Sequence, residues 1–308
     1  MRKLIFNLPF NIFIALAIMI LGVQKSGFAC TIWAAAGKSV LHQGTLIAKN
    51  RDWYPGQAQR LKFVKYHKKF SYIALFADDG AASSIKAGVN EHGLVIVNAA
   101  ASQITLRKKP YARSLMGKLL SRCMNIPDAL SHPDWFHGSR FLLLADSRKI
   151  ALVEIGKGGV FKVKTIANGK LCHTNHYVEP ELEFLNPNPN NRSSLSRLRL
   201  IKKGLAAQKK YSFMDFITMS GINSETPGPS LWRNGKTPVA VRTLATWIVW
   251  QPYGGKPTLF VRLTNPRQKE QEYYFDLNKA FGDRRLKAES IPQIYGYAAT
   301  SKPNLMEF

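Results

Sequence analysis

The sequence predicts a layered α+β fold, because its strands come in runs and its helices in blocks. Residues 31–101, 141–174 and 243–277 carry short apolar, β-branched and aromatic stretches bounded by turn residues, whereas helical spacing is confined to 111–131 and 193–220. A doubly wound parallel sheet would instead alternate strand and helix one by one. Of the 308 residues 45% are hydrophobic, ample for the core of one large domain or two small ones. The chain holds no internal repeat and no low-complexity tract.

Taken in order, residues 31–36, 40–49, 71–77 and 85–101 read as strands, with turns at Gly37, Gly44 and Gly80. A helix follows at 111–123, where Leu115, Met116, Leu119, Leu120 and Cys123 share a face. Another at 126–131 has Pro127 in its first turn, where a missing N–H costs nothing. Residues 141–146, 150–155, 160–166 and 170–174 form a strand series broken by Ser147-Arg148 and by the glycine-rich 156–159. The tract 186–191, alternating Asn and Pro before a final Asn pair, is a loop. Amphipathic spacing returns at 193–208, with Leu195, Leu198 and Ile201 on its apolar side, and at 212–220. Residues 225–237 are rich in Pro and Gly and read as a long active-site or crossing loop. Three last strands, 243–250, 257–263 and 272–277, are expected to be antiparallel.

Residues 1–29 read as a cleavable secretory signal: Met1-Arg2-Lys3 is the positive n-region, 12–23 the apolar run, and Gly27-Phe28-Ala29 a small-x-small cleavage site. The run is short of the roughly 20 apolar residues of a permanent span. A lipoprotein signal also ends just before a cysteine, but it normally has an apolar residue three positions ahead, where this chain has Gly27. Cleavage after Ala29 sends the chain to the periplasm or outside the cell and makes Cys30 its first residue. An N-terminal cysteine carries a thiol and an α-amine of pKa about 7.7–8.0. Such a residue can act as its own general base.

With 44 Lys and Arg against 19 Asp and Glu, the chain carries +25 at pH 7. That field favours anionic partners and allows electrostatic contact with an anionic membrane surface. The basic residues are dispersed, at 62–69, 107–109 and 202–210, outside any nucleic-acid module, so no specific nucleic-acid partner is expected. Three cysteines are an odd number for an exported chain. A Cys123–Cys172 bridge stays open, and with or without it Cys30 is the thiol left over.

A thiolate attacking an amide creates an oxyanion that needs fixed donors nearby. Asn98 and Asn175 end apolar strands and could supply them, although each alone also reads as a strand terminator. Asp52 could accept hydrogen bonds from the Cys30 amine or thiol, or pair with neighbouring Arg51 at the surface. His173 and His176 flank Asn175 and offer a Cys–His scheme, or with Cys172 a zinc site. His42, His67, His132 and His137 read as surface or structural residues.

Four segments carry a resemblance: Cys30-Thr31, Ala48-Lys49-Asn50-Arg51-Asp52-Trp53, Gly88-Val89-Asn90-Glu91-His92-Gly93-Leu94 followed by Asn98, and Thr174-Asn175-His176. In this order they resemble the choloylglycine hydrolase and penicillin acyltransferase superfamily, and the likeness continues through 112–130, 141–154, 193–199 and 242–277. Each motif alone is weak; the ordered set behind an unmasked cysteine is specific. The resemblance implies an N-terminal nucleophile hydrolase, a single domain over 30–308 built as a four-layer αββα sandwich of two antiparallel sheets between helical layers. It implies cleavage of linear carbon–nitrogen bonds in a small-molecule N-acyl amide, with no metal and no organic cofactor.

By the same resemblance Cys30 is the nucleophile and its amine the base, with Asp52 holding both. Asn98, through its backbone, and Asn175, through its side chain, line the oxyanion site, and Arg197 matches an arginine near the nucleophile. Lys49 stands where the family pattern has arginine, keeping the charge but losing the planar fork. Lys49 and Arg51 are both candidate substrate-binding residues, with Arg51 expected on the other side of the strand. Bile-salt conjugates, penicillins, N-acyl amino acids, acyl-homoserine lactones and amino-acyl amines all suit the family, as do hydrolysis and acyl transfer. Assembly as a homo-oligomer is left open. A competing class is a non-enzymatic basic envelope protein, lipidated on Cys30, that binds acyl-bearing or anionic ligands.

Overall fold

Burial of every residue in the first strand, β1 (Ala29–Ala36), sets the architecture, because both of its faces must be covered. Cys30, Ile32, Ala34 and Ala36 face one apolar cluster, while Trp33 and Ala35 face another. The computed structural model describes residues 29–65, 68–78, 83–101, 111–186, 191–223, 230–235 and 237–282. Most of the signal reading, the turn at Gly80, the basic stretch 107–109, His67 and parts of the loops at 186–191 and 225–237 lie outside them.

Among the described residues the strands after β1 are β2 (Thr45–Trp53), β3 (Gln59–Val64), β4 (Tyr72–Asp78), β5 (Ser83–Asn90), β6 (Val95–Ala100), β7 (Arg140–Ala145), β8 (Ile150–Ile155), β9 (Phe161–Ile166), β10 (Gly169–His173), β11 (Arg242–Gln251), β12 (Thr258–Leu263) and β13 (Gln271–Asp276). They form two antiparallel sheets. One has the order β10-β1-β2-β11-β12-β13, and the other is the meander β3 to β9. Helices α1 (Tyr111–Arg122) and α2 (Ile126–Leu130) cover the meander through Leu115, Leu119 and Ile126. On the outer face of the other sheet, α3 (Arg192–Ala206) and α4 (Phe213–Ser220) pack through Leu198, Ile201 and Phe216. A short α5 (Leu277–Gly282) ends the described chain. Between the sheets Ile32, Leu75, Val97, Phe141, Leu143 and Trp247 interlock. The result is the αββα sandwich that the resemblance implies.

Two differences from the sequence reading have local causes, and the open cysteine pairing is resolved. Strand β3 was not expected, because Arg60 and Lys62 interrupt its apolar residues. Those cations sit on the outward side of this edge strand while Gln59, Leu61 and Phe63 are buried. The stretch 40–49 starts its strand only at Thr45, since His42, Gln43 and Gly44 all have positive φ (64°, 60° and 84°) and make a turn. All three cysteines are free. A Cys123–Cys172 bridge is excluded by placement, as Cys123 lies under the helices on the meander and Cys172 packs against the helical layer on the opposite side.

The stretch 85–101 folds as two strands around the turn at 91–94, and Asn90 holds that turn. Its Oδ1 accepts from His92 N (3.1 Å) and Leu94 N (2.9 Å), while Nδ2 donates to Leu120 O (2.9 Å) and Cys123 O (2.7 Å) at the end of α1. Gly93 supplies the φ of +84° that the turn needs. Asn90→Ala would leave buried carbonyls and amides unpaired, at about 1–3 kcal/mol for each group deprived of both partner and water. We expect the variant to lose several-fold more stability than an exposed control such as Met124→Ala in urea unfolding; equal midpoints would contradict the assignment.

Candidate active site

The register between β1 and β2 opposes Cys30 to Arg51, Ile32 to Lys49 and Ala29 to Asp52. Since side chains alternate along a strand, Cys30, Lys49 and Arg51 share the face toward the other sheet, and Asp52 projects from the opposite face. Arg51 therefore lies on the same side as Lys49, which corrects the expectation of opposite sides. Residues two apart on a strand always share a face. The same alternation keeps Asp52 from pairing with Arg51, whose guanidinium instead reaches Gln57 and lies 5.0 Å from the Trp53 ring centre.

Cys30 is only 6% exposed. Its backbone N–H donates to Asn175 Oδ1 at 2.8 Å. Arg197, buried on the inner side of α3, donates through Nη1 to Cys30 O (2.5 Å) and Thr31 Oγ1 (3.0 Å), and through Nη2 to the same Asn175 Oδ1 (3.0 Å). Asn175 completes the junction by donating from Nδ2 to Ala100 O at the end of β6, at 2.7 Å. Thus the Asn175 amide turns its oxygen to Cys30 and its nitrogen to the other sheet. Burial lowers the Arg197 pKa to about 10, which leaves it cationic at neutral pH.

Lys49 spans the gap to β6. Its Nζ donates to the backbone oxygen of Asn98 and, at 3.0 Å, to Asn98 Oδ1, on the face that Lys49 shares with Cys30. Burial pulls its pKa down, opposed chiefly by attraction to Cys30. Asp52 is fully buried, with Oδ1 accepting from Thr243 Oγ1 at 2.8 Å and Oδ2 without a hydrogen-bond partner. Burial raises its pKa, opposed by the positive charges of Arg197 and Arg233. Cys30, Lys49, Asn98, Asn175 and Arg197 are thus brought together, with Asp52 beside the residue that precedes Cys30.

The segment after β10 is braced independently. Ser194 Oγ accepts from Asn175 N (2.8 Å), donates to Thr174 Oγ1 (2.9 Å) and lies 2.7 Å from His176 Nδ1. His173 is occupied by Glu154 through Nε2 (3.0 Å) and by Thr174 O through Nδ1 (3.1 Å). Glu154 also accepts from Val178 N at 3.0 Å. Both histidines therefore support the backbone around Asn175 rather than activate sulfur. Cys172 and His173, being adjacent on a strand, face opposite sides and do not converge on an ion. Among the described residues, the group of three histidine, cysteine and carboxylate side chains whose ligand atoms lie within 4.8 Å of one another is Cys123, Asp128 and His132, far from Cys30 in sequence.

Sequence reasoning missed Thr31, Glu154, Ser194, Arg233 and Thr243. Thr243 had a readable signal, a hydroxyl near the start of a largely apolar strand. Arg233 had none, because nothing in the Pro- and Gly-rich loop around it predicts which side chain turns inward.

The family model for acyl-coenzyme A:6-aminopenicillanic acid acyl-transferase matches residues 40–267. The chain belongs to this family, whose members are amide hydrolases and acyltransferases of the N-terminal nucleophile type. Among solved structures it is similar to a Caenorhabditis elegans ortholog of N-acylethanolamine-hydrolyzing acid amidase, at 10% identity over 73% of this chain and 94% of that one, with a TM-score of 0.50. A mutant conjugated bile acid hydrolase from Clostridium perfringens matches at 11% identity over 81% and 93% of the two chains, with a TM-score of 0.49. These likenesses concern the fold. No curated protein sequence matches the chain.

His176 gives the site a measurable acid sensitivity. Burial lowers its pKa from 6.5 to about 4, with His173 adding to the effect. Between those two values the unfolded chain takes up a proton that the folded one refuses, so this histidine's contribution to stability falls as pH drops from 6.5 toward 4. His176→Gln should flatten that part of the curve of unfolding midpoint against pH; a curve parallel to wild type would contradict the neutral, Ser194-bound histidine.

Proposed function

We propose that the chain is an exported, cysteine-dependent hydrolase or acyltransferase that cleaves the linear amide bond of a small-molecule N-acyl substrate through an acyl-enzyme on Cys30. The observation that carries this reading is the convergence of Cys30 N and Arg197 on Asn175 Oδ1, with Asp52 next in register to Ala29. Cleavage after Ala29 would put a free α-amine where the Cys30 amide nitrogen now sits, already held by Asn175. The Asp52 carboxylate then lies beside a cation, which accounts for a buried Oδ2 without a hydrogen bond.

In the reaction so proposed, the α-amine accepts the thiol proton and the sulfur attacks the acyl carbon. The oxyanion is stabilised by donors from Asn98 and Asn175. The proton passes to the departing amine, and water or a second amine then takes the acyl group from sulfur. Arg197 fixes the carbonyl of Cys30, so the nucleophile keeps its aim. Lys49 and Arg51 add positive charge on the substrate side. Burial of Cys30 argues against the lipidated envelope protein, since a diacylglyceryl chain on this sulfur would have to fit inside the core. We place the protein in the periplasm or outside the cell, with no specific nucleic-acid partner and with electrostatic contact to anionic surfaces available to it.

Activity should require a free Cys30 amine. Protein beginning at Cys30 should cleave members of a panel of N-acyl amino acids, bile-salt conjugates, penicillins, acyl-homoserine lactones and N-acylethanolamines, whereas the same protein retaining a preceding Met should not. Cys30→Ser should lose most activity, and Asn175→Ala should lose on the order of 10²–10³ in turnover with little change in KM. Full activity with Met retained, confirmed by intact mass, would exclude the amine as base; wild-type turnover in folded Cys30→Ser would exclude the nucleophile.

A further inference from the structure

Lys49 does more in this site than an added positive charge requires. Three directions leave its Nζ beyond the side-chain carbon; the structure fills two of them, with Asn98 O and Asn98 Oδ1, and Cys30 is the diagonal neighbour on the same face. Both of these partners are carbonyl oxygens, which only accept. A neutral amine has two N–H donors and one lone pair. Once the oxygens take both donors, the lone pair is left for a third neighbour, and the neutral and charged forms of Lys49 differ by the one proton held there.

We propose that Lys49 is the proton partner of the Cys30 thiol, able to ionise the nucleophile without the α-amine. The assignment rests on Cys30 as the nucleophile. It adds a second base. The S–H bond breaks, the proton moves to Lys49 Nζ and the electron pair stays on sulfur; after attack that proton returns by way of the α-amine to the leaving nitrogen, so turnover still needs the free amine, and the lysine ends neutral.

Placement supports this independently of ionisation. The β1–β2 register sets Lys49 diagonal to Cys30 on one face, within reach of a long side chain. While Ala29 is attached, the Cys30 nitrogen is an amide spent on Asn175 and has no basic lone pair, whereas Lys49 has one. The groups bearing on Lys49 are Cys30 from β1, Arg51 and Asp52 from β2, and Asn98 from β6. Burial and Arg51 favour the neutral amine; Cys30 and Asp52 favour the cation. Arginine at this position, as in the family pattern, would supply charge but would not release a proton near neutral pH. Lysine therefore changes what the position can do.

The test uses protein with Ala29 retained ahead of Cys30, so that no α-amine adjoins the thiol. Iodoacetamide alkylation of Cys30, followed by peptide mass mapping near neutral pH, should slow about tenfold or more in Lys49→Met. Lys49→Arg should keep alkylation within about threefold of wild type through its charge. In protein beginning at Cys30, the same Lys49→Arg change should lower kcat at mildly acid pH, where the α-amine is protonated and a second base counts most. Lys49→Gln serves as the check if Lys49→Met fails to fold, judged by circular dichroism. Wild-type alkylation in a folded Lys49→Met or Lys49→Gln protein would overturn the pairing, and an unchanged pH–rate profile in Lys49→Arg would overturn the proton transfer. Alkylation needs no substrate: a wild-type protein that cleaves no amide yet shows the Lys49→Met loss would refute the amidase and uphold the pair.

Discussion

One carbonyl oxygen, Oδ1 of Asn175, ties the site to the fold. It receives the Cys30 N–H at 2.8 Å and the Arg197 guanidinium at 3.0 Å, while the same amide donates to Ala100 across the sandwich. Four elements meet there: β1, the end of β10, helix α3 and the end of β6. Hydrogen bonds to a charged group contribute about 1.5–3 kcal/mol each, and leaving one partner buried and unpaired costs a comparable amount. The position of Cys30 is thus set by packing of both sheets and of a helix rather than by its own strand alone.

Charge is the second constraint. Lys49, Arg51, Arg197 and Asp52 are all buried, three potential cations around one carboxylate. Such an excess is unfavourable in a core unless something negative complements it or a group gives up its charge. The lowered pKa values of Lys49 and Arg197 express that cost, both led by burial. Under the proposed function, a thiolate and then an oxyanion would supply the negative charge that complements this arrangement. On that reading, the field that burdens the resting protein would stabilise the reacting state, in keeping with perturbed ionisation at functional sites.

Much of the fold was legible because the core strands are continuously apolar and the helices are amphipathic. Strands β8 and β11 and helices α3 and α4 fall within one or two residues of where periodicity places them. Strand β3 escaped because Arg60 and Lys62 hide its buried half. The turn at 91–94 escaped because its anchor, Asn90, acts through contacts with α1 that no local pattern encodes. The candidate site residues were read from motif order, and the structure gathers Cys30, Lys49, Asn98, Asn175 and Arg197 as a group. Their roles were less legible. Which way the Asn175 amide faces, and which hydroxyl meets Asp52, depend on pairings such as Thr243 with Asp52, 191 residues apart in the chain.

The central claim is that an acyl group passes through the Cys30 sulfur. The most direct measurement is rapid quenching of protein that begins at Cys30, mixed with excess N-acyl substrate at acid pH, where deacylation is slow, followed by intact and peptide mass spectrometry. The account predicts one acyl group per chain, in thioester linkage, on the peptide that starts with Cys30, formed in a burst that precedes steady release of acid. Acyl on another residue, or steady turnover with Cys30 unmodified throughout, would contradict it.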